Sequence, residues 1–143
     1  MHKLPMGLVA LLAGATVMAV PAAAAPGDVM LSATLTGAAE TPAASADGTG
    51  MFMGRLNVGT GQLCYTLTSQ NLPALTMAHI HIGAAGVAGP PVVVLAPSVP
   101  SETCMAVAKD VAMKIVASPG AYYVNIHNTA YPKGAIRGQL VAQ

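Results

Sequence analysis

Thr76-Met77-Ala78-His79-Ile80-His81-Ile82 is the stretch from which the rest of this chain is best read. Ala78, Ile80 and Ile82 alternate with Met77, His79 and His81. That is the period of a β-strand, so the two imidazoles share one face of a sheet. A second run of this kind, Tyr123-Val124-Asn125-Ile126-His127, carries the only other histidine outside the extreme N-terminus. Three imidazoles that folding can bring together are donors suited to zinc or copper. Same-face residues of a strand stand about 6.7 Å apart, and neighbouring strands about 4.8 Å. Imidazoles can span such gaps to a metal about 2.0–2.1 Å from each nitrogen.

His79, His81 and His127 are therefore the candidate metal ligands. Met77 lies on the face of His79 and His81, and its thioether would favour Cu(I). Met51 and Met53 would add to this if their strand is adjacent. A metal-free role competes with this: His79 and His81 would hold the glycine-rich segment to the sheet through loop carbonyls, and Asn125 and His127 would do the same at the final hairpin.

Outward from these runs, short strands alternate with turn residues. Val29 to Leu35 sets Met30, Ser32 and Thr34 against Leu31, Ala33 and Leu35. Met51 to Val58 and Gln62 to Thr68 flank the hairpin turn Gly59-Thr60-Gly61. Val92 to Leu95, a run through Cys104 and Val107, and Ala135 to Val141 complete the strand-like segments. In the loop from Gly83 to Pro91 the glycines recur every third residue. No Lys-Ser/Thr or helix follows, so it is a turn-making loop rather than a phosphate cradle. One segment has helical character: Asp110 is placed to cap Val111 to Ala117, with Pro119-Gly120 as the stop. About eight short strands and one helix predict an all-β fold, an antiparallel β-sandwich or flattened barrel.

The first 24 residues read as a signal peptide, with Lys3 before an apolar core from Leu8 to Val20. Pro21 and the Ala22 to Ala25 run follow as a cleavage region. Residues 25–143 are one domain's worth of chain. The expected location is periplasmic or secreted, with no membrane attachment once the signal is removed. Asp28, Glu40, Asp47, Glu102 and Asp110 balance Arg55, Lys109, Lys114, Lys133 and Arg137. A neutral chain without a basic cluster or any Trp has no footprint for nucleic acid. Cys64 and Cys104 are the only two cysteines, and in an oxidising compartment they are expected to pair as a structural disulfide. No nucleophile elbow or pair of neighbouring acids points to hydrolytic catalysis.

Two long motifs carry a resemblance. One is Ala78-His79-Ile80-His81 with Gly83, Gly86, Gly89-Pro90 and Val92-Val93-Val94-Leu95. The other is Tyr122-Tyr123-Val124-Asn125-Ile126-His127 with Pro132, Gly134 and Ile136-Arg137-Gly138-Gln139-Leu140. Together with Leu31-Ser32-Ala33, Glu40-Thr41-Pro42 and Gly48-Thr49-Gly50, these resemble the CHRD (chordin) domain family over nearly the whole mature chain. Ala135 departs from the pattern, since the family often has an acidic residue before Ile-Arg-Gly. The resemblance implies an immunoglobulin-like barrel distantly similar to Cu,Zn superoxide dismutase. Those dismutases take two copper ligands from a His-x-His strand and another from a later strand.

Here no histidines remain for a bridging ligand or a zinc set, so dismutase activity is not implied. Three functions are open at this point. The first is a binding module for copper or zinc. The second is a metal-free structural or adhesive domain acting through an extracytoplasmic protein partner. A degenerate dismutase-like enzyme is the third.

Overall fold

The computed structural model describes residues 27–143, and the signal-peptide reading lies outside the described residues. Among the described residues, nine strands and one α-helix form the fold. The strands are β1 (Asp28–Thr36), β2 (Thr49–Asn57), β3 (Gln62–Gln70), β4 (Leu75–Ile82), β5 (Pro91–Leu95), β6 (Val99–Ala106), β7 (Tyr122–Asn128), β8 (Ile136–Gln139) and β9 (Val141–Ala142). The helix α1 (Lys109–Ala117) lies between β6 and β7. All the strand pairings are antiparallel, in the order β5-β4-β7-β8-β1-β2-β3-β6, with β9 pairing to β1.

The sheet divides where β8 meets β1, joined in register only at Thr36 and Arg137. On one side lie β5, β4, β7 and β8, and on the other β1, β2, β3 and β6. Their inner faces make the core, in which Leu31, Leu35, Phe52, Leu63, Leu67, Ile80, Val124 and Ile126 are all fully or almost fully buried. Alternation in the sequence anticipates these faces in β1 and β2, where every second residue is buried from Leu31 to Leu35 and from Phe52 to Leu56, whereas β7 is buried on both sides. Burying these apolar side chains is the main driving force of the fold.

The structure corrects the sequence reading in two places. The expected strand from Ala135 to Val141 is two strands, because the chain changes partner at Leu140. Before Leu140 it runs along β7 and pairs with β1 only at Arg137, and after it pairs with β1 alone, while the Leu140 side chain is buried. Asp110 does not cap α1. The helix begins earlier, the cap position is Ala108, and no side chain bonds there. Asp110 instead lies in the first turn, 3.6 Å from Lys114 on the exposed face, where it complements the helix dipole.

Cys64 and Cys104 stand opposite each other on β3 and β6, with Cα atoms 3.9 Å apart, and are disulfide-bonded. The bond closes a loop with a sequence separation of 40. A closure of that length stabilises a fold by about 4 kcal/mol in the chain-entropy account. No helix among the described residues is long and apolar enough to cross a membrane.

Candidate metal centre

β4 and β7 are hydrogen-bonded neighbours despite the long stretch of chain between them. Their register sets Met77 opposite His127, His79 opposite Asn125, and His81 opposite Tyr123. Directly paired residues project to the same side of a sheet. The three histidines therefore gather on the face turned away from the core, each offering a nitrogen within 4.8 Å of the others.

This outer face is covered. The glycine-rich segment between β4 and β5 folds across it, held by the hydroxyl of Tyr123, which accepts from the Gly89 N–H at 3.2 Å. Arg137 donates to the Val87 carbonyl at 3.1 Å, and Gln139 to the Gly83 carbonyl at 3.0 Å. Glycine is needed at position 89, since a Cβ there would overlap the Ile82 carbonyl. The segment between β7 and β8 covers the other end. As a result His81, Asn125, His127 and Arg137 are buried although they face away from the core.

Those two covers set the orientation of the rings. His81 donates Nδ1–H to the Gly89 carbonyl at 2.7 Å, and His127 donates Nδ1–H to the Pro132 carbonyl at 2.9 Å. A carbonyl only accepts, so in the neutral rings Nε2 of each keeps its lone pair and turns inward. Metal-binding histidines are usually held this way, with the far N–H on a carbonyl or carboxylate. His79 completes the group through Nδ1, which lies 3.1 Å from His127 Nε2. Two nitrogens on one tetrahedral zinc at about 2.0–2.1 Å stand roughly 3.3 Å apart, so this spacing needs little adjustment.

Without a metal the short contact is a hydrogen bond. Since His127 Nε2 is the acceptor, His79 Nδ1 must carry the proton, and ligation requires that proton to leave Nδ1. The pKa of His79 is lowered first by burial and then by repulsion from His127 and His81. That of His81 is lowered chiefly by burial, against the opposing pull of the Gly89 carbonyl. Both shifts favour the neutral rings that can ligate.

Several polar partners escaped the sequence reading. Tyr123 stacks on His81 with ring centroids 4.9 Å apart, and the Arg137 guanidinium lies 4.2 Å from the centre of the Tyr123 ring. Arg137 Nε donates to Glu40 at 2.7 Å, with both side chains buried. Arg137 thus takes its carboxylate from the loop after β1 rather than from position 135, which is alanine here. Gly134 fits because a side chain there would overlap the Glu40 carboxylate. The signal that could have placed Tyr123, Arg137 and Gln139 here is the same period of two that grouped the histidines.

Among the described residues, the buried side-chain atoms without a hydrogen-bond partner are Glu40 Oε1, His81 Nε2 and Asn125 Oδ1. All three belong to this layer. Met77 borders the site and is exposed, sharing the face of His79 and His81. Met51 and Met53 are elsewhere: their strand β2 is separated from β4 by β7, β8 and β1, and supplies nothing to the centre. A second group, Cys64, Glu102 and Cys104, has its sulfurs joined in the disulfide and offers no thiolate.

The fold and this layer define an all-β antiparallel sandwich that carries a buried polar cluster on one outer face. Residues 31–140 match the CHRD domain family, and the chain belongs to it. No curated protein and no solved structure matches the chain.

Proposed function

We propose that this protein is an exported binding module, periplasmic or secreted, that holds one copper or zinc ion through His79 Nδ1, His81 Nε2 and His127 Nε2. The observation that carries this reading is the convergence of three imidazoles whose nitrogens lie within 4.8 Å of one another, two of them oriented by carbonyl bonds on their far sides. Three neutral imidazoles suit Zn(II) and Cu(II), and the intrinsic order of affinity favours copper. In a purely structural site the carbonyl bonds of His81 and His127 account for loop anchoring. They do not account for His79, whose Nδ1 stands 3.1 Å from His127 Nε2.

Protein purified without chelators should contain close to one equivalent of copper or zinc by elemental analysis. Titration of the stripped protein should show saturable one-to-one binding. His81→Ala and His127→Ala should abolish it, whereas Met77→Leu should weaken only Cu(I). A wild-type protein that takes up neither ion would refute the proposal and leave a protein-interaction domain with structural histidines.

A further inference from the structure

At the centre of the polar layer two acceptors are left over. His81 Nε2 is one, and Asn125 Oδ1 is the other. Asn125 is 2% exposed and stands in register between His79 on β4 and Arg137 on β8. It lies directly opposite His79 in the ladder, with His81 two residues further along the same face of β4. Two acceptors cannot satisfy each other. A half-turn of the amide would aim its NH2 at the lone pair of His81, but only while that lone pair is unused.

Ligation takes the lone pair of His81 and leaves the amide oxygen in need of a donor. A divalent ion on three protein nitrogens keeps an open position that water fills, and the O–H of that water is such a donor. Cu(I) is content with three ligands and brings no water. We infer that Asn125 is a positioning residue of the metal centre, its amide oxygen accepting a hydrogen bond from water at the fourth position of a divalent ion. The site then discriminates in favour of Cu(II) or Zn(II) over Cu(I). The inference rests on the metal-binding reading above and adds a residue that is not itself a ligand.

Copper is the probe. Affinities for Cu(II) and, under argon, for Cu(I) are measured by competition with chromophoric chelators in wild type, Asn125→Leu and Asn125→Asp. Midpoint potentials are measured alongside. One-to-one uptake by the wild type is the first readout, and its absence removes the metal reading itself.

Given that uptake, Asn125→Leu should lose tenfold or more in Cu(II) affinity, as partners beyond the ligands typically do. Its Cu(I) affinity should not change, so the potential should rise by about 59 mV for each tenfold. Asn125→Asp keeps the acceptor and should hold Cu(II) at least as tightly as wild type. Equal losses for both oxidation states in Asn125→Leu would overturn the inference, as would a matching Cu(II) loss in Asn125→Asp. Should Asn125→Leu fail to fold, the Cu(II) wild type provides a separate test. Electron–nuclear double resonance in H2O and D2O should show a strongly coupled exchangeable water proton, and its absence would be equally decisive against the inference.

Discussion

The outer faces of the two halves of the sandwich each carry an arginine–carboxylate pair of nearly equal length. Arg137 and Glu40 meet at 2.7 Å with 4% and 3% of their side chains exposed, whereas Arg55 and Glu102 meet at 2.6 Å with 23% and 47% exposed. Distance does not separate them, but cover does. The face formed by β4, β7 and β8 lies under two loops whose carbonyls fix His81 and His127, and there each charge depends on its partner. The face formed by β2, β3 and β6 is open to water. Met51 and Met53 are exposed on it, and the disulfide crosses it between β3 and β6. The lesson is that the candidate centre depends on a buried polar layer, and that the opposite face is held by covalent and apolar means.

The comparison breaks most directly at Arg137. Arg137→Met leaves Glu40 charged and buried alone, and should lower stability by about 3–5 kcal/mol. Adding Glu40→Leu should recover much of that loss, because an apolar pair fills the space without a charge. Urea denaturation of the single and double variants checks both statements. If the single variant were as stable as wild type, the buried pair would be no different from the exposed one.

The disulfide comes next. Replacing Cys64 and Cys104 together with Ser should cost about 2–4 kcal/mol, while metal uptake by the histidines stays at wild-type affinity. Loss of uptake in a still-folded variant would show that the two faces are coupled.

The covered face should also respond to acid. His79 and His81 titrate below their usual 6.5 in the folded protein. As the pH falls from 6.5 through those lowered values, the unfolded chain takes up protons first, so stability declines over that window. Metal affinity should weaken over the same window, since a protonated imidazole does not ligate. Melting curves between pH 7.5 and 5, with and without metal, report both effects. A His79→Phe/His81→Phe variant should show a flatter dependence.

The smallest effect is expected on the open face. Glu102→Gln breaks the pair with Arg55 where water and salt screen it, leaves Arg55 beside the largely buried Asp28 side chain at 3.8 Å, and should leave the melting temperature unchanged within error. A clear drop would mean that exposure is a poor guide to the worth of these pairs.

Much of this molecule was legible in sequence because strand alternation is a local property. It placed Leu31, Ala33 and Leu35 together on one face of their strand, and Met77, His79 and His81 together on one face of theirs. The two cysteines and the turn at Gly59-Thr60-Gly61 were equally plain. The helix start was less so, since a capping residue competes with tertiary packing and Ala108 took the position expected for Asp110. Met51 and Met53 show the general difficulty: nothing local says which strands become neighbours.

By itself the sequence determined the all-β class, the faces of the strands and the residues able to ligate. Only the tertiary structure decided that β4 lies beside β7, that Glu40 reaches Arg137 across 97 residues, and that Gly89 and Pro132 offer carbonyls to two imidazoles. The physical reason is that alternation is written in neighbouring side chains. A ring nitrogen's direction and charge state are instead set by groups that come near only when loops close over a finished sheet.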